Sequence, residues 1–71
     1  ARQSLRVRIE QVLDGMNPRY ARALRLRLLE DRSREECASL MEITVNNFDV
    51  LLFRSSKAFR VECEKIGLRL G

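Results

Sequence analysis

The sequence has no histidine and no tryptophan, and it holds only two cysteines, one proline and three glycines in 71 residues. The missing histidine and the absence of any C-x-x-C pair remove the usual zinc-ligand spacings. They also remove the commonest general base. Glu35 and Glu36 are adjacent and so point to different faces of a helix, leaving no paired-carboxylate site and no activated nucleophile in evidence. No enzyme activity, catalytic residue, metal or cofactor is therefore expected, and no small-molecule substrate. Cys37 and Cys63 both fall inside helical apolar patterns, which fits reduced, half-buried core thiols in a reducing cytoplasm rather than disulfide staples. No apolar run approaches the roughly 18 residues that span a bilayer, and the basic opening lacks the apolar stretch of a signal peptide. A cytoplasmic protein with no membrane partner is expected.

What is present is a mixture of 45% hydrophobic and 34% charged residues. That mixture argues for one small globular domain and against disorder. The net charge of +4 favours an acidic partner such as nucleic acid or an anionic surface.

Apolar periodicity divides the chain into four helices. Leu5, Ile9, Val12, Leu13 and Met16 recur at three- and four-residue steps, predicting a first helix over about Arg2 to Asp14, with Gly15 in the left-handed conformation as its stop. Asn17 and Pro18 read as the cap and first position of a second helix. Tyr20, Leu24 and Leu28 form its inner stripe, Arg19, Arg22 and Arg25 share another face, and Asp31 is its end. Ser33-x-x-Glu36 is a capping box that opens a short third helix, from about Arg34 to Met41, with Cys37, Leu40 and Met41 inward. Thr44 caps a fourth helix from Val45 into the Lys57 to Cys63 stretch, with Phe48, Leu52, Ser55 and Phe59 on one stripe.

The short third helix, the connection at Glu42, Ile43 and Thr44, and the longer fourth helix follow the grammar of a helix-turn-helix. In such a pair the first helix braces against the phosphate backbone and the second presents its N-terminal half to base edges in the major groove. Short helix pairs also occur in proteins that bind no DNA, so spacing alone leaves plain packing as an equal alternative.

The stretch from Asn17 to Arg60, about two-thirds of the chain, resembles region 4 of the extracytoplasmic-function (ECF) sigma factors. The resemblance rests on Pro18-Arg19-Tyr20 leading into Ala23-Leu24-Arg25-Leu26-Arg27, on Leu29-Glu30, Ser33-x-x-Glu36-x-Ala38 and Ile43-x-Val45, and on Leu52-x-Arg54 followed by Lys57-Ala58. It implies an all-α, four-helix domain with a helix-turn-helix at about residues 33–60, of the winged-helix-like, sigma region 4 type. It further implies a DNA-binding domain recognising the promoter −35 element in transcription initiation. The expected partners are double-stranded promoter DNA, the RNA polymerase core and an anti-sigma factor. Residues 1–71 would form this one domain, and a chain opening on Ala1 rather than methionine is expected to be a piece of a longer sigma factor.

The DNA-binding set expected from the outer face of the fourth helix is Thr44, Asn46, Asn47, Asp49, Val50, Phe53, Arg54 and Lys57. Asparagine can read adenine, Val50 and Phe53 can meet thymine methyls, Arg54 can read guanine or grip phosphate, and Asp49 can accept from the cytosine amino group. Arg32 and Arg34, beside a helix start, are candidates for phosphate contact, with an ordinary solvated face as the equal alternative. Two departures from the family pattern stand out. Glu42 occupies a turn position where relatives usually carry glycine, which predicts backbone strain of up to about 1–2 kcal/mol. Asp49, Val50 and Leu51 stand where Lys or Arg, Ser and Arg are common, so two expected cations are missing. An alternative stays open, in which Val50, Leu51 and Phe53 form an apolar contact face and the domain is a sigma-like protein-interaction module without DNA readout of its own. A further possibility is a dimeric LuxR-type regulator.

Overall fold

Four capping side chains set the four helix starts in the computed structural model, which describes residues 4–67. Helix α1 spans Leu5–Asp14, α2 spans Pro18–Leu24 and runs on into a π-helical stretch at Arg25–Leu29, α3 spans Arg34–Leu40, and α4 spans Val45–Lys65. Ser4 Oγ accepts from Val7 N–H at 3.2 Å, Asn17 Oδ1 from Arg19 N–H at 2.9 Å, and Thr44 Oγ1 from Asn47 N–H at 3.1 Å. The capping box is complete: Ser33 Oγ accepts from Glu36 N–H, and Glu36 Oε1 accepts in return from Ser33 N–H. Each such cap satisfies amides that the first turn leaves without a helical partner, a contribution of about 1 kcal/mol. The predicted start at Arg2 lies outside the described residues. No strand occurs among the described residues.

Two buried clusters hold the helices together. The rear cluster joins α1, α2 and the second half of α4 through Val12, Leu13, Met16, Ala21, Leu24, Phe59 and Cys63. The front cluster joins the α2–π helix, α3 and the first half of α4 through Ala23, Leu26, Cys37, Ala38, Met41, Phe48 and Leu51. Tyr20 and Leu52 pack against both. Ser55 is fully buried in the α4 stripe with its hydroxyl satisfied, donating to the Leu51 carbonyl one turn back at 2.6 Å. Cys37 and Cys63 are free thiols, wholly rather than half buried.

Several sequence expectations are corrected by the packing. Gly15 is right-handed (φ −90°, ψ −1°), so α1 ends on a simple tight turn. Leu5 is exposed, because burial along α1 begins only near Ile9. Leu28 is exposed as well, whereas Leu26 is buried and Leu29 packs against the rear cluster. The 20–24–28 stripe presumes an unbroken 3.6-residue period. The wide turn closed by Glu30 N–H on the Arg25 carbonyl breaks it. That helix ends at Leu29, and Asp31 follows in the left-handed region (φ 53°). In α3 the inward set is Cys37, Ala38 and Met41, while Leu40 is exposed. Ala38 and Phe48 are buried together in the front cluster.

Candidate nucleic-acid interface

The turn between α3 and α4 is a Schellman motif. Ile43 N–H reaches the Ala38 carbonyl at 3.0 Å and Glu42 N–H the Ser39 carbonyl at 3.1 Å, with Glu42 left-handed at φ 57°. The family's usual glycine position is thus the left-handed residue of the turn, and a glutamate is held there. The motif turns the chain sharply enough for Ile43 and Val45 to tuck into the front cluster, and so fixes the angle at which α4 leaves α3.

With Phe48, Leu51, Ser55 and Phe59 buried, the opposite side of α4 faces outward. Asn46, Val50, Phe53 and Lys57, spaced four, three and four apart, share that side. All four are exposed, Phe53 at 65% and Val50 at 51%. Lys57 Nζ lies 5.4 Å from the Phe53 ring centre, a cation–π contact one helical turn apart. Leu51, grouped with this apolar face on sequence grounds, is instead buried in the front cluster.

The two shoulders of the outer face differ. On the α2 side, Asn47, Val50 and Arg54 line an open cleft with Asn17, Arg19 and Tyr20. Arg19 and Arg54 form no ion pair among the described residues. On the α3 side, Asp49 is held by a fork-to-fork pair: Arg34 Nε donates to Oδ1 at 2.9 Å and Nη2 to Oδ2 at 2.6 Å. The hydrogen bond from Arg34 holds the Asp49 carboxyl below its ordinary range, and the same bond raises the Arg34 guanidinium. Two residues expected to act separately on DNA are therefore joined to each other. Arg32 is also engaged, by Glu30 at 2.9 Å and Glu36 at 3.5 Å, and the Glu30 hydrogen bond raises it further.

The arginines of α2 do not act as one basic face. Arg22 donates to the Leu40 carbonyl at 3.0 Å, satisfying the end of α3, and Arg25 reaches back to Asp14 at 2.5 Å. Arg19 alone of the three lies beside the outer face of α4. Sequence reasoning left it out of the site because its place depends on how α2 crosses α4. No group of acidic residues and cysteines able to hold a metal ion occurs among the described residues, and no described helix is long and apolar enough to cross a membrane.

Capped helices joined by a left-handed turn, with the second helix bare on its outer side, define this as a helix-turn-helix domain. The chain belongs to the family described as Sigma-70, region 4, whose model matches residues 6–59. Members of that family are non-enzymatic DNA-binding modules of sigma factors, acting in transcription initiation with promoter DNA and RNA polymerase. Comparison with curated proteins and with solved structures gives no match.

Proposed function

We propose that this domain recognises the promoter −35 element as region 4 of an ECF sigma factor, with the first half of α4 in the major groove. The observation that carries the reading is the bare stripe of Asn46, Val50, Phe53 and Lys57, flanked by Arg19 and Arg54, which form no ion pair among the described residues. Its width, one helix face, suits the groove, and its side chains match adenine edges, thymine methyls and phosphates. Thr44, Asn47, Asp49 and Arg54 complete the contact set, with Arg32 and the Asp49-paired Arg34 at its α3 edge. The domain acts in the cytoplasm as one part of a longer sigma factor, docks on the RNA polymerase core, and is covered by an anti-sigma factor when silent.

Exposed Phe53 and Val50 also favour a second reading, a protein-interaction module whose outer α4 face binds an apolar partner rather than bases. Selection from randomised duplexes at two salt concentrations separates the two. An enriched short motif, weakened by Arg54→Ala or Phe53→Ala and steeply lost as salt rises, is the result expected for DNA readout. Binding without any motif, together with salt-tolerant capture of polymerase core or an anti-sigma protein that the same substitutions abolish, would establish the second reading.

A further inference from the structure

Among the described residues, the Arg34–Asp49 pair is the one ion pair that ties α3 to α4, and it sits at the rim of the outer face. Asp49 lies one position from Val50 and three from Asn46. Both pair members keep substantial exposure, 50% and 40% of their side chains, so the pair is open to an incoming duplex. An arginine offers five N–H donors. Asp49 takes one from Nε and one from Nη2, leaving both donors of Nη1 and one of Nη2 for another acceptor.

We propose that Asp49 is a specificity-determining residue of this surface, which locks Arg34 in one orientation through Nε and Nη2 and cancels its charge towards DNA of arbitrary sequence. This inference rests on the DNA-reading proposal above. The physical argument concerns what a free arginine does. An unpaired guanidinium on a long flexible stem finds a phosphate on any duplex and so raises affinity without regard to sequence. A guanidinium fixed by a bidentate carboxylate keeps its remaining donors aimed at one place. It then contributes only where the duplex brings an acceptor to that place. The pair therefore exchanges general affinity for discrimination.

The expectation opposes the simple electrostatic one in a measurable way. Removing a carboxylate from a DNA-facing surface raises affinity on either view, but only the locking view makes that gain depend on Arg34 and unequal between sequences. The test measures binding of the chain to its selected duplex and to random duplex over a salt series, for the natural sequence, Asp49→Asn, Arg34→Ala and the double variant. Thermal melting confirms that each variant is folded. Asp49→Asn is expected to bind random duplex about 3- to 10-fold more tightly, to steepen its log–log salt slope by about 0.9, as for one more neutralised phosphate, and to lower the selected-to-random ratio at least about 3-fold. In the Arg34→Ala background the same change should lose most of its effect on both slope and ratio. Equal gains on both duplexes, or changes in slope and ratio that persist in full without Arg34, overturn the inference while leaving DNA recognition intact. A natural chain that prefers no duplex overturns the proposed function and this inference with it.

Discussion

Glu42→Gly is expected to stabilise the domain. The residue sits at φ 57° in the Schellman turn, a conformation that costs a side-chain-bearing residue about 1–2 kcal/mol. Glycine removes that cost but gives back about 0.4–1 kcal/mol through the greater freedom of the unfolded chain. The middle of these ranges leaves a net gain of about 0.8 kcal/mol, and for a domain of this size it raises the melting temperature by about 3–6 °C. Both turn hydrogen bonds come from backbone amides, so they survive the change. The Glu42 carboxylate forms no ion pair among the described residues, so little else is lost. Melting followed by circular dichroism should rank Glu42→Gly above the natural sequence and Glu42→Ala at or below it, since alanine removes the charge and keeps the strain. Asp31→Gly, at φ 53°, should gain less, because a short aspartate tolerates the left-handed region better than glutamate does. Equal stabilisation by alanine and glycine at position 42 would show that charge, not backbone strain, is what glycine relieves.

Three further outcomes follow from the packing and the charges. Leu26→Ala should cost about 2–5 kcal/mol in denaturant unfolding, whereas Leu28→Ala should stay within about 0.5 kcal/mol; similar costs would contradict the π-turn register. Asp49 has its folded-state pKa depressed by the Arg34 hydrogen bond, with Glu35 also near that guanidinium. Its stabilising contribution is then present above its ordinary 3.8 and lost as pH falls through the lower folded value. The stability advantage over Asp49→Asn should therefore shrink on acidification, and an advantage independent of pH counts against the pair. Burial raises the thiols of Cys37 and Cys63, so an aromatic disulfide reagent at neutral pH should modify them only as fast as the fold opens, with rates rising in denaturant. Immediate reaction of the native protein would contradict their burial.

The helix starts were legible because caps are local: Asn17, Ser33 and Thr44 each carry the acceptor within three residues of the amide it serves. The Phe48–Ser55–Phe59 stripe was legible because α4 keeps one period throughout. Leu28 and Leu40 were misplaced for different reasons, the first by a break in helical period, the second because Ala38 and not Leu40 joins Cys37 and Met41 on the inward side. At the interface, the bare face of α4 followed from its buried one. The joining of Arg34 to Asp49, fifteen positions apart, and the placing of Arg19 beside Arg54 depend on how helices cross, which periodicity does not encode.

Helix α4 has neither glycine nor proline between Val45 and Lys65, and it passes from the front cluster to the rear one without interruption. The domain thus has no joint between its outward-reading end and its far end. Phe59 and Cys63, buried in the rear cluster, help to set the direction of the face that carries Asn46 and Val50. A surface built this way takes its shape from the fold itself, and the direction of its exposed face is owed in good part to residues buried at the far end of the same helix.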